Sequence, residues 1–266
     1  VTAPAAPDWS SARYETFADE LAPAAERLVE LAAPARGERV LDLATGTGNA
    51  ALAAARRGAV VTGVDAAPRL LEVARSRARA LGLEVEFLSG DLHEPPVPDG
   101  SFELVLSCFG VTFASDPPRA LDAIARTLRP SGRVLLTAWV PRGPIAAILA
   151  VFAEAVAEAT GRAAPPRFPW HEPEALAGLP EIHGADVRAH EEQLRITAAS
   201  PEEYLALGER DHPLSAARRE PLQRAGTYEA TCERALTVLA EANEDPGGFV
   251  VHSPYRVIEL RGLHRH

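Results

Sequence analysis

Apolar positions along the chain follow a helical rhythm first and a strand–helix alternation afterwards. From Trp9 to about Ala33, Leu21, Leu28, Val29 and Leu31 recur at roughly 3.6-residue spacing, predicting helix that Pro34 and Gly37 end. Val40-Leu41-Asp42-Leu43 then reads as a short buried strand, and Ala50 to Arg57 as a helix. Val60 to Val64 is a second strand. Pro68 suits the first turn of the next helix, whose apolar face is Leu70, Leu71, Ala74, Ala78 and Leu81 and which Gly82 stops. Val85, Phe87 and Leu88 mark a third strand, and Phe102 to Leu106 a fourth. Pro117-Pro118 opens a helix with Leu121, Ile124, Ala125 and Leu128 on one face; Pro130-Ser131-Gly132 ends it before a fifth strand, Val134 to Trp139. Short apolar strands separated by helices predict an α/β fold: a doubly wound parallel sheet covered on both faces.

After Trp139 the rhythm changes. Ile145, Ile148, Leu149, Phe152 and Val156 form a helical stripe, and a Pro-rich stretch runs from Gly161 to Pro173. Val187 to Ile196 reads as a strand, and about Pro221 to Ala242 as one long Ala-rich helix. Asp245-Pro246-Gly247-Gly248 is a turn, and Phe249 to Leu260 is extended chain broken at Ser253-Pro254. No repeat recurs at a fixed period. The expected organisation is one domain over 1–266. A helical cap covers 9–33, the core 34–140, cap insertions with a late strand 141–248, and a closing strand with tail 249–266. Residues 1–8, rich in Ala and Pro, are expected to fray.

Composition narrows the function. The formal net charge is −10, with 27 basic residues, all of them Arg, and no Met. Without Lys, no Schiff base and no lysine general base is available. The acidic balance speaks against nucleic acid as the main partner, because phosphate binding needs a basic face. No apolar run approaches 18 residues and no basic-then-apolar leader is visible in the first thirty, so the expectation is a cytoplasmic protein with no membrane partner. Cys108 and Cys232 stand far apart and make no metal-ligand spacing, so no metal is expected.

The chemistry concentrates at three predicted strand ends. Asp42-Leu43-Ala44-Thr45-Gly46-Thr47-Gly48-Asn49 leaves a strand and opens a helix, where a Gly-rich turn lets backbone approach a ligand. Alone it is ambiguous: Gly46-Thr47-Gly48-Asn49-Ala50-Ala51 also satisfies a dinucleotide pattern, and Gly is common in such turns. Asp42, just before the turn, is a buried carboxylate in need of donors; a ligand ammonium supplies them and a pyrophosphate does not. Asp65 ends the second strand, where a carboxylate can accept both ribose hydroxyls. Asp91 ends the third, where it can accept from an adenine amino group while the Leu92 backbone N–H donates to the ring. Together the three carboxylates match the parts of one cationic nucleoside.

On those residues the chain resembles the class I S-adenosylmethionine (SAM)-dependent methyltransferases, and within them the small-molecule group related to ubiquinone/menaquinone-biosynthesis methyltransferases. The matching text is Val40 to Gly48, Val64-Asp65, Gly90-Asp91-Leu92, Asp99-Gly100-Ser101-Phe102 through Leu106-Ser107, and Leu128-Arg129-Pro130-Ser131-Gly132-Arg133. Ala44 departs from the Gly common across the broad family, as Ser131 does within the last run. The resemblance implies a Rossmann-like, mostly parallel seven-stranded sheet with an antiparallel closing strand and helical cap insertions. It implies SAM as cofactor, with Asp42, Ala44, Gly46 and Gly48 around its methionyl part, Asp65 and Ala66 at the ribose, and Asp91 and Leu92 at adenine. Ser107 would offer backbone near the methionyl group, and Tyr14 would reach the SAM carboxylate.

The expected function is methyl transfer to a small-molecule acceptor, O-, N- or C-linked; a homodimer stays open. A SAM-binding protein with altered, non-methylating chemistry is an alternative, and a nicotinamide-dependent oxidoreductase a weaker one. For a hydroxyl acceptor the candidate bases are His171, beside Phe168 and Trp170, and His212, in Asp211-His212-Pro213. Both also read as ordinary loop histidines. The acceptor is expected among the segments 9–20, 142–172 and 205–215, with Trp9, Phe168 and Trp170 as aromatic lining. His93 is expected to be a surface residue over the cofactor, Cys108 a small buried thiol, and His264 and His266 tail.

Overall fold

The computed structural model describes Trp9 and residues 14–263; the expectations for residues 1–8, His264 and His266 fall outside the described residues. The chain divides into two compact units. One holds Ala18–Trp139, Phe168–Glu192 and the chain from Tyr255; the other holds Val140–Arg167, Gln193–Pro254 and the described residues up to Phe17.

The first unit carries the sheet. Helices α1 (Glu15–Glu20) and α2 (Ala22–Ala32) replace the single predicted N-terminal helix. Then come β1 (Arg39–Leu43), α3 (Asn49–Arg56), β2 (Val60–Asp65), α4 (Pro68–Ala80), β3 (Val85–Ser89), β4 (Phe102–Ser107), α5 (Pro117–Thr127) and β5 (Leu128–Trp139). The late strands are β6 (Asp186–Ala198) and β7 (Phe249–Arg261), and the seven-stranded order is β3-β2-β1-β4-β5-β7-β6. β1 to β5 pair in parallel, while β7 runs antiparallel to β5, from Arg133 opposite Arg261 to Trp139 opposite Tyr255. β1 pairs with both β2 and β4, so the strand order reverses there and opens the crevice where open α/β sheets bind ligands.

The central strands are buried on both faces. Leu41, Leu43, Val105, Val134 and Leu136 join Leu121 and Ile124 of α5 in one apolar cluster. Pro130-Ser131-Gly132 does not separate helix from strand as expected. β5 starts at Leu128, opposite Phe102, and its partner register jumps to Arg133 opposite Leu104, so the intervening residues form an irregularity inside the strand. Trp170, expected to line a cap, is only 2% exposed and packs in the same cluster with Leu176 and Ile182. Residues 168–192 thus fold with the sheet rather than with the cap, and Trp170 is a core residue.

The second unit is mostly helical, with α6 (Pro144–Thr160), α8 (Pro201–Asp211), α9 (Pro213–Ala225) and α10 (Tyr228–Ala242) beside the last residues of β6 and the first of β7, while the short α7 (Pro173–Ala177) belongs to the sheet unit. The single helix expected over 221–242 is two. Gly226, at φ +69°, closes α9 in the left-handed conformation that favours glycine. β7 continues through Ser253-Pro254, where a break was expected, because Pro254 turns its carbonyl to the Val140 N–H at 3.2 Å.

Candidate active site at the strand ends

The carboxyl ends of β1, β2 and β3 carry Asp42, Asp65 and Asp91 on one unit. Asp42 sits inside β1, 1% exposed. Its Oδ2 accepts from Thr45 Oγ1 at 2.6 Å and from the Ala51 N–H, in the first turn of α3, at 3.0 Å. The carboxylate therefore ties the Gly-rich turn to the helix it feeds. Its Oδ1 is buried with no hydrogen-bond partner among the described residues. Burial pushes the Asp42 carboxyl up to about 7, against the pull of Thr45 and Ala51. An ionised carboxylate with one oxygen lacking donors and no cation is an unfinished arrangement, and a ligand ammonium or a water completes it.

Asp65 faces the same turn. Its Oδ2 accepts from the Gly46 N–H at 2.8 Å and its Oδ1 from the Ala67 N–H at 2.8 Å. A carboxylate offers about four lone-pair positions, so capacity for hydroxyl donors remains after both backbone bonds. Burial raises its pKa, and the Ala67, Gly46 and Ala66 N–H groups work against that rise. Gly46 (φ +55°) and Gly48 (φ +87°) hold conformations that L side chains rarely adopt, and a Cβ on Gly46 would meet nothing within 4 Å. The space beside Gly46 is open, as a ligand cradle requires.

Asp91 is built differently. Its Oδ1 accepts from the His93 backbone N–H at 2.9 Å and meets His93 Nδ1 at 2.7 Å. The His93 backbone bond leads the effects that hold its carboxyl below the ordinary range.

The β4 end closes the crevice. Ser107 Oγ donates to the Leu43 carbonyl at 2.8 Å and accepts from the Val111 N–H at 3.0 Å, stitching β4 to β1. Ala44 (φ +52°) and Phe109 (φ +60°) both hold left-handed backbone on either side of the crevice. Between them Gly110 is required for space: a Cβ there would lie 2.4 Å from the Ala44 Cβ. The Phe109 N–H donates to Thr137 Oγ1 at 2.8 Å, and its ring stacks on Trp139 at 4.4 Å with Tyr255 edge-on at 5.6 Å. Cys108 is half-buried rather than fully buried as expected, and burial pushes its thiol up to about 12, so it stays neutral.

The remaining predicted residues are distributed over both units. His171, in the sheet unit, has a 15% exposed side chain with Nε2 3.5 Å from Glu172, while its carbonyl accepts from Arg256. Burial lowers its pKa. In the helical unit Tyr14 lies edge-on to Trp9 and to His212, at 5.1 and 5.9 Å. His212 caps α9, its Nδ1 accepting from the Leu214 N–H at 3.2 Å, and burial draws its pKa down to about 4. With Nδ1 engaged as an acceptor, the proton of the neutral ring sits on Nε2, leaving no free lone pair to take another. Sequence reasoning missed Thr45, Asn49, Gly110 and Thr137. Asn49, whose Nδ2 donates to the Ala18 carbonyl, keeps a buried Oδ1 without a partner among the described residues, a second acceptor in need of a donor beside the turn. Among the described residues no His, Cys, Asp and Glu group could hold a metal ion.

Comparison with known proteins identifies the family. A methyltransferase domain family matches residues 40–132, from β1 to the irregularity in β5. An uncharacterized protein of Mycobacterium tuberculosis (strain ATCC 25618 / H37Rv) is 34% identical over 71% of this chain and 69% of its own. A demethylmenaquinone methyltransferase of Thermus thermophilus is 44% identical over 43% of this chain and 53% of its own. The crystal structure of the YcgJ protein from Bacillus subtilis shares the fold, with a TM-score of 0.60 at 21% identity, covering 92% of this chain and 99% of that one. The orphaned Asp42 Oδ1, the open space at Gly46 and the row of carboxylates fit a cationic nucleoside. The chain belongs to the class I SAM-dependent methyltransferases, enzymes with a Rossmann-like fold that take S-adenosylmethionine as cofactor.

Proposed function

We propose that this enzyme methylates a small organic acceptor in biosynthetic metabolism, at oxygen, nitrogen or carbon. The observation that carries the reading is the unfinished polar chemistry at the strand ends. Asp42 Oδ1 is buried without a donor among the described residues, and Asp65 and Asp91 lie at the ends of the next two strands. SAM supplies a sulfonium-activated methyl group, so the protein's work is alignment and exclusion of water. Asp42 receives the ammonium end, and Ala44, Gly46 and Gly48 let backbone close on the methionyl chain, with the Ser107 backbone beside it. Asp65 and Ala66 take the ribose, and Asp91 and Leu92 the adenine.

A small acceptor is supported by the relative named for demethylmenaquinone, and a nucleic acid is disfavoured by the net charge of −10. The stacked Phe109 and Trp139, next to the β4 turn, suit a conjugated acceptor; Trp139 keeps partial exposure. No helix among the described residues is long and apolar enough to cross a membrane. We propose a cytoplasmic setting. For a hydroxyl acceptor we assign the base to His171 rather than His212, because His212 Nδ1 is held as a helix cap.

Methyl-labelled SAM incubated with a panel of phenols, amines and enolisable ketones tests this. Label transferred to an organic acceptor supports the reading. Product formed without label transfer would favour the alternative of SAM-assisted, non-methylating chemistry. With a phenol acceptor, His171→Ala is expected to lower kcat by about 10²–10⁴-fold. Wild-type rates and pH profile in that variant would mean transfer by alignment alone.

A further inference from the structure

His93 lies outside the three-carboxylate motif, and the sequence reads it as a surface residue. The structure buries its ring: the side chain is 10% exposed, against 63% for the Asp91 carboxylate it touches. Each ring nitrogen has a partner. Nδ1 lies 2.7 Å from Asp91 Oδ1, which can only accept when ionised. Nε2 accepts from the Asp116 backbone N–H at 3.3 Å, which can only donate. Those partners select the tautomer with its proton on Nδ1. Asp116 is itself the N-cap of α5, its carboxylate accepting from the Arg119 N–H at 3.1 Å. The ring therefore spans from the end of β3 to the start of a rigid helix.

The consequence falls on Asp91. Both the backbone N–H and the ring of His93 donate to Oδ1. Oδ2 receives no hydrogen bond from the described residues, and Arg119, whose charge also favours the ionised carboxylate, bonds Glu94 at 3.4 Å. A carboxylate left to rotate presents either oxygen; this one is pinned with Oδ2 outward.

We infer that His93 is a positioning residue for base recognition, locking Asp91 so that Oδ2 alone faces the 6-amino group of the cofactor's purine. The inference rests on the reading that Asp91 holds adenine. It makes this enzyme a discriminator of 6-amino from 6-oxo purines, through a side chain that does not touch the base.

Calorimetric titration with S-adenosylhomocysteine and S-inosylhomocysteine tests it. Wild type is expected to prefer the adenine compound by on the order of tenfold or more, the size of one charge-assisted hydrogen bond. His93→Ala should reduce that preference to about twofold or less. His93→Asn should restore it, because its amide nitrogen can stand where Nδ1 stands and donate to Oδ1. Asp91→Asn should invert the preference: the His93 donors hold the amide oxygen, turning the NH₂ toward a 6-oxo group. In the double variant Asp91→Asn, His93→Ala the inversion should vanish. Equal weakening of both ligands in His93→Ala would make His93 a structural clasp only and overturn the proposal. If wild type already binds both purines alike, the adenine placement itself is wrong, a failure visible before any variant is made.

Discussion

Two buried carboxylates, one in each unit, show opposite solutions to the same physical problem. In the helical unit, Glu209 is 7% exposed and saturated. Arg218 donates to it through Nε at 3.1 Å and through Nη2, the Tyr228 hydroxyl donates at 2.8 Å, and the Arg218 guanidinium lies 3.7 Å over the Phe152 ring. Its charge is compensated by a cation and both oxygens are used. In the sheet unit, Asp42 is at least as buried; among the described residues it has only neutral donors, and Oδ1 has no partner. Saturation suits a group that holds a fold together, whereas a deficit beside a Gly-rich turn is what the proposed SAM ammonium would complete.

The comparison breaks most sharply at Glu209. Glu209→Ala removes the counter-charge and strands Arg218 and Tyr228, so stability in urea should drop by about 3–5 kcal/mol, as when one partner of a buried ion pair is deleted. A drop under about 1 kcal/mol would mean that the network is a solvated surface pair. Asp42→Asn should do the reverse. Stability should move by about 1 kcal/mol or less, while SAM affinity falls by about 1.5–3 kcal/mol, the worth of a hydrogen bond to a charged group. Unchanged SAM affinity would remove Asp42 from the ligand's contacts.

Proton linkage sharpens the Asp42 half. Its pKa rises from 3.8 to about 7 on folding because of burial. Between those values the folded protein holds a proton that the unfolded chain has released. This contribution therefore lowers stability as pH climbs from about 4 to 7, and Asp65, also raised by burial, acts in the same sense. On the proposed pairing of Asp42 with the SAM ammonium, binding favours the ionised form, so affinity should climb as pH rises through 7. Asp42→Asn should flatten its share of both trends; a SAM affinity flat from pH 6 to 7.5 in wild type would argue that the carboxylate is ionised throughout.

How far these features can be read from sequence differs between the two regions. β1 to β5 were legible because strands buried on both faces are short apolar runs with turn residues between them. Asp42, Asp65 and Asp91 stood out as charges at the ends of such runs. His93 was not legible, since its partner Asp116 is 23 residues away and the contact exists only once β3 and α5 are placed. The helical unit read poorly. α8 gave no clear stripe, and Gly226 looked like part of a continuous helix. Trp170 sat in a Pro-rich stretch that resembled an exposed loop, although Leu176 and Ile182 bury it. For Trp170 a tertiary contact outweighed the local pattern.

A steric version of the same contrast lies at Gly110. Its φ is negative, so strain from backbone conformation is absent; only the 2.4 Å approach of a new Cβ to Ala44 matters. Ala44 is itself in left-handed backbone, at φ +52°, and lacks freedom to retreat. Gly110→Ala should cost about 1–3 kcal/mol of stability, the usual range for overpacking. It should weaken SAM as well, because the displaced turn carries the proposed methionyl cradle. A destabilised variant with unaltered SAM affinity would show that this turn does not border the ligand.

The smallest expected effect on activity is at His212, and it separates a cap from a base. Nδ1 accepts from Leu214, while Trp9, Tyr14 and Phe17 surround the ring edge-on at 6.0, 5.9 and 5.1 Å. Asn is a good N-cap, so His212→Asn keeps an acceptor for the Leu214 N–H and loses chiefly aromatic contact, about 0.5–1.5 kcal/mol. Folding depresses this imidazole from 6.5 to about 4, so the unfolded chain binds the extra proton in that window. Stability from His212 therefore grows as pH rises from about 4 to 6.5 and is complete above it, opposite in sign to Asp42. His212→Asn should erase that rise while kcat at saturating SAM stays within about twofold of wild type, since general-base loss would cost at least about 10²-fold. A hundredfold fall in kcat with the cap preserved would restore His212 as the base and displace His171.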